Sequence, residues 1–120
     1  MQVETQLRLN KTEQAVALLR QLILQQGRFL LPNYYQILAR AEMAHGRESD
    51  SYQAMAEYYY LIGHTRSAVD QLKIALDRTD KEDSFRWQRL NSRFTELQSE
   101  VLELEGKAAK ERSHASHTHR

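Results

Sequence analysis

The chain of 120 residues has no cysteine, one proline and four glycines. The missing thiols exclude disulfides, thiolate zinc sites and cysteine nucleophiles, and leave the redox compartment open. With so few breakers, the expectation is a small domain of long elements joined by short connections. Long apolar runs are also missing. No window is apolar for long enough to cross a bilayer, and Met1 to Asn10 lack the apolar core of a secretory signal. Charge of one sign is scarce too: the formal net charge is +1 with acids and bases interspersed. Such a balance lacks the one-sided basic field that holds a phosphate backbone, which argues against nucleic acid as a partner.

What is present is helical periodicity. Ala15, Leu18, Leu19, Leu22 and Ile23 follow the i, i+3, i+4, i+7, i+8 series of one buried face, which predicts a first helix from about Lys11 to Gln26 with Thr12 as its cap and Gly27 as its stop. Pro32 suits the first turn of a second helix carrying Tyr34, Tyr35, Leu38, Ala39, Ala41 and Glu42 and ending at His45-Gly46. A third starts near Ser49 to Ser51, carries Tyr52, Met55, Ala56, Tyr59 and Tyr60, and stops at Gly63. Thr65 would cap a fourth with Ala68, Val69, Leu72, Ala75 and Leu76. After the polar break from Arg78 to Asp83, Trp87, Leu90, Phe94, Leu97, Val101 and Leu104 form a heptad seam, expected to close the stack rather than to build a coiled-coil dimer. From Gly106 to Arg120 the composition predicts a frayed tail, so the domain is expected over residues 1–105.

Internal similarity sharpens the architecture. Tyr35-x-x-Leu38-Ala39-x-x-Glu42-x-x-x-Gly46 recurs seventeen residues later as Tyr52-x-x-Met55-Ala56-x-x-Tyr59-x-x-x-Gly63. Seventeen is half the tetratricopeptide (TPR) period of about 34 residues. Ala68, Leu72 and Ala75 then supply the small, large and small packing positions of a second helix. The expected fold is all-α: TPR-like antiparallel hairpins stacked as a short superhelix, closed by a long C-terminal capping helix. The half-period leaves the third helix readable as the second member of one pair or the first of the next, with one phase break as the expected resolution.

Leu38-Ala39-x-Ala41, Ala54-x-Ala56-Glu57-Tyr58-Tyr59-Tyr60-Leu61-x-Gly63 and Ala68-Val69-x-Gln71-Leu72-x-x-Ala75-Leu76 together resemble the C-terminal TPR region of bacterial periplasmic zinc metalloproteases of the beta-barrel assembly-enhancing type. The final helix, with Phe85, Arg86, Arg89, Leu90, Arg93 and Leu97, is similar to the helix that closes those proteins. The resemblance covers about Lys11 to Leu104. It implies a parent with an N-terminal HExxH domain holding zinc and a C-terminal TPR domain that engages outer-membrane beta-barrel precursors and their assembly machinery. The present chain departs from that pattern in having no HExxH and no signal peptide, so peptidase activity and the zinc cofactor stay with the parent. The expectation is therefore a partner-docking module without catalysis, periplasmic if it is a piece of such a parent. The alternative is a free-standing cytoplasmic TPR scaffold with Met1 as its native start. A third reading is the helical accessory segment of an unrelated enzyme.

Candidate chemistry points the same way. His45 and His64 stand nineteen residues apart beside turn glycines, whereas a zincin needs two histidines one helical turn apart. His114, His117 and His119 crowd the tail without a supporting shell. Ser49, Ser51 and Ser67 fall at helix starts, where serine caps, and no strand-turn-helix elbow presents a nucleophile. Glu4 with Glu13, and Asp80, Glu82 and Asp83, read as solvated or helix-start charge. Consecutive helix positions point about 100° apart, so Tyr58, Tyr59 and Tyr60 cannot share one core. Tyr59 takes the packing position and Tyr60 is placed on a concave protein-binding face with Gln53 and Glu57, joined by Asn33, Gln36 and Arg40 from the earlier repeat.

Overall fold

Proline or glycine stands at the first three boundaries between helices, and a polar segment from Arg78 to Asp83 forms the fourth. The computed structural model describes residues 2–26 and 31–118. Five helices run through them: α1 Gln2–Gln26, α2 Pro32–Ala44, α3 Glu48–Leu61, α4 Thr65–Asp77 and α5 Ser84–Thr118. No strand occurs among the described residues, and the chain is all-α.

Pro32 opens α2 behind the extended Leu31, where its missing amide hydrogen goes unnoticed. The α2–α3 and α3–α4 turns repeat one device. Gly46 and Gly63 have φ of +73° and +85°, the left-handed region that side chains resist. Around them the Arg47 amide donates to the Glu42 carbonyl at 2.9 Å and the His64 amide to that of Tyr59 at 2.8 Å, seventeen residues apart in both donor and acceptor. These bonds satisfy the orphan carbonyls of each helix end. The seventeen-residue repeat in sequence is thus a repeat in backbone geometry.

Three expected caps are not caps. α1 runs through position 12, so Thr12 is interior, and Gly27 lies outside the described residues. α4 begins at Thr65, and neither the residue before it nor Arg47 before α3 makes a side-chain capping bond. Ser51 instead donates its hydroxyl to the Ala39 carbonyl at 2.7 Å, tying α3 to α2 in the interior. Asp83 does take the role expected of a helix-start acid, accepting the Arg86 amide at 3.1 Å ahead of α5.

Two clusters form the core and meet at α3. One joins Val16 of α1 to Leu38 and Ala39 of α2 and Ala54 of α3, with Leu19 and Ile23 against it. The other joins Ala56 of α3 to Ala68, Val69, Leu72 and Ala75 of α4 and Leu90 and Leu97 of α5. Ala54 and Ala56 thus face different clusters, and α3 packs extensively on both α2 and α4. It belongs to both pairs at once, which is how the seventeen-residue repeat is accommodated. On α1 the buried stripe is rotated from the expected one: Val16 is buried, while Ala15 is exposed and Leu18 is 58% exposed. α1 touches the stack along a narrow seam, so Val16, Leu19 and Ile23 at i, i+3, i+7 suffice.

The heptad seam of α5 packs only in its middle. Leu90 and Leu97 are fully buried on α4 and Phe94 and Val101 lie against the same cluster, but Trp87 and Leu104 at its ends are 41% and 59% exposed. The expected boundary at Gly106 has no counterpart in secondary structure, because α5 continues as helix to Thr118.

Candidate functional site

Charged residues recur at helical spacing on two facing helices. On α3, Asp50 and Glu57 stand seven residues apart with Gln53 between them; on α5, Arg86, Arg89 and Arg93 hold the same i, i+3, i+7 spacing. Arg86 reaches Asp50 at 3.7 Å, Arg93 forks onto Glu57 at 2.7 and 2.9 Å, and Tyr60 donates its hydroxyl to Glu100 at 3.1 Å. Both helices advance together along this ladder, so α5 runs parallel to α3. The bidentate bond from Glu57 holds the Arg93 guanidinium well above its ordinary pKa. Arg93 also lies 4.9 Å over the ring of Tyr60, a cation–π contact.

A second set of charges closes the α1 side. Glu42 is completely buried, at the α2 position equivalent to Tyr59 in α3. Its carboxylate accepts Arg47 Nε at 2.7 Å and Arg20 Nη2 at 3.0 Å, so a buried charge is paired on both oxygens. Arg47 also reaches Glu13, whose carboxyl is held below its ordinary value chiefly by that hydrogen bond. Arg20, Arg86 and Arg89 converge on Asp50, each at 3.7 Å.

Between these walls lies a cleft of about 450 Å³. Ile23, Leu24, Tyr35, Leu38 and Ala54 give it an apolar part, and Arg20, Glu42, Asp50, Gln53, Glu57 and Arg89 a polar one. Burial raises the pKa of the Tyr35 hydroxyl, with Glu57 adding to the effect. A further cavity of about 370 Å³ shares Arg20, Asp50 and Arg89 and continues toward Glu13, Arg47 and Arg86.

Of the residues placed on a concave face from sequence, Gln53 and Glu57 line this cleft. Tyr60 does not: it packs against the α3–α4–α5 cluster beneath Arg93, so α5 occupies the space expected to be open. Asn33 and Arg40 are exposed and Gln36 half-buried, but α2 contributes Tyr35, Leu38 and Glu42 instead. The cause is α1, which docks on the Leu38–Ala39 stripe and sets the cleft along that edge. His45 sits with Nδ1 3.5 Å from Glu13 and a buried, unpartnered Nε2, while His64 stacks on Tyr59. Among the described residues no His, Asp and Glu side chains form a group that could hold a metal ion. Glu4, His114, His117 and His119 have side chains outside the described residues.

Arg20, Asp50 and Arg89, at the centre of the site, carry no weight in the repeat pattern, and Glu42 enters it only as the counterpart of Tyr59. The complementary spacing of Asp50 and Glu57 against Arg86, Arg89 and Arg93 was the available signal. No family model, curated protein or solved structure matches the chain.

Proposed function

We propose that this chain is a TPR-like docking module that binds segments of other proteins and carries out no reaction. The observation that carries this reading is the cleft where α1, α2, α3 and α5 meet, with apolar side chains beside fixed charges in one concave surface. Such a surface offers burial for an anchor residue and oriented donors and acceptors for a backbone or polar side chain. On the resemblance carried by the Ala54–Gly63 and Ala68–Leu76 runs, we further propose that its partners are outer-membrane beta-barrel precursors or their assembly machinery, and that the module serves a periplasmic zinc metalloendopeptidase.

Mixing the chain with an unfolded beta-barrel precursor, with and without zinc, tests both parts. Saturable binding with no hydrolysis in either condition is expected. Zinc-dependent cleavage by this chain would overturn the non-catalytic reading. Loss of precursor binding with retained binding of other unfolded chains would remove the assignment to outer-membrane assembly while keeping the module.

A further inference from the structure

The two cavities meet at Arg20, Asp50 and Arg89, so the cleft continues as a trough on both sides of these side chains. Charge is unevenly satisfied there. Asp50 is buried and faces three guanidiniums, all at 3.7 Å, beyond direct hydrogen-bonding reach. Arg86 spreads its nitrogens over Asp50, Asp83 and Ser49, and Arg20 commits one nitrogen to Glu42. Arg89, about half exposed at 52%, meets no other carboxylate among the described residues. Each guanidinium presents five N–H donors in a planar fork that matches a carboxylate. Arg20 and Arg89 therefore bring unused donors into the trough from opposite walls, α1 and α5. One turn along α1 from Arg20, Ile23 and Leu24 face the trough with Leu38 of α2.

We infer that the trough takes an extended acidic peptide segment, with one carboxylate side chain held between Arg20 and Arg89 and an apolar side chain resting on Ile23, Leu24 and Leu38. An internal segment fits better than a chain end, because the trough continues past the arginines in both directions. In an extended strand, residues two apart point to the same face, about 6.5–7 Å from each other. That is close to the roughly 5.4 Å of one helical turn between Arg20 and Ile23–Leu24, so the recognised pattern is an acidic and an apolar residue two apart, in either chain direction. This inference rests on the docking reading above and names its ligand chemistry.

The test is fluorescence anisotropy of the full chain with a panel of short, end-blocked peptides built on that pattern, beside copies with glutamine in place of each acid. Arg89→Ala and Arg89→Glu are suitable variants because Arg89 is about half exposed and Asp50 is its one ion-pair partner among the described residues, and circular dichroism checks their folding. The glutamine copies should bind about tenfold or more weakly, as should acidic peptides to Arg89→Ala, with a larger loss for Arg89→Glu. Arg89→Ala should weaken the glutamine copies much less than the acidic peptides, and Arg112→Glu, far from the trough, should change nothing. Equal binding of acidic and glutamine peptides overturns the inference and leaves the docking reading standing. A preference for a free C-terminus over an acidic side chain overturns the internal-segment assignment. Binding of no peptide in the panel overturns both.

Discussion

Glu42 occupies a position where the repeat places Tyr59 in α3, and it is fully buried without being a defect because Arg20 reaches it from α1 and Arg47 from the α2–α3 turn. Burying a carboxylate is costly unless both oxygens are bonded, so this side chain locks α1 and the α2–α3 turn to one another more than it adds net stability. Replacing it by glutamine should cost about 1–3 kcal/mol, since the partly exposed arginines can rehydrate, and thermal denaturation measures this. Glu13 offers the milder comparison at the same junction. Its carboxyl is held below the ordinary 4.5 by hydrogen bonding to Arg47, so its contribution is present above about that pH and is lost as the pH falls through the lower folded value. The acid limb of the stability profile below pH 4.5 should therefore flatten in Glu13→Gln, and an unchanged limb would show that the Arg47 contact has no weight in solution. Neither role was legible beforehand: in sequence Glu42 is one more member of a repeat and Glu13 one more exposed acid. Which arginine meets which acid depends on how α1 is laid across the stack.

At the scale of elements, local patterns carried far. The hairpin of α3 and α4 was readable because Ala56, Ala68, Leu72 and Ala75 alternate small and large and Gly63 permits the turn, all within one short stretch of chain. Helix starts were read less well, since Thr65 and Ser51 are good caps by type but are displaced by one residue or diverted to another helix. The α5 seam was read in full, yet only its centre finds a partner, because a periodic stripe does not state where the neighbouring helix ends. Leu90→Ala and Leu97→Ala should each cost about 2–5 kcal/mol, whereas Leu104→Ala should be close to neutral. A large loss from Leu104→Ala in a denaturant titration would mean that the stripe is covered further along than α4 reaches, as in an α5-mediated dimer.

The whole molecule is a stack of helices in chain order, α1 on α2, α2 on α3, α3 on α4 and α4 on α5, with side chains of α1 and α5 meeting at Asp50 of α3 beside the cleft. The second core cluster was foreseeable from the sequence, because its residues lie on consecutive helices joined by short turns. The cleft was not, because it depends on the distant ends of the chain, Arg20 and Arg89, coming to the same acid. The proposed function makes this shared surface the place where a partner binds. Backbone amide chemical-shift mapping during titration with a bound partner or peptide tests it most directly. Binding in the cleft should move the amides of Arg20 to Leu24, Tyr35 to Glu42, Asp50 to Glu57 and Arg89, leaving the outer face of α4 at Asp70, Lys73 and Asp77 undisturbed. Shifts centred on that outer face of α4, with the cleft residues silent, would contradict the account.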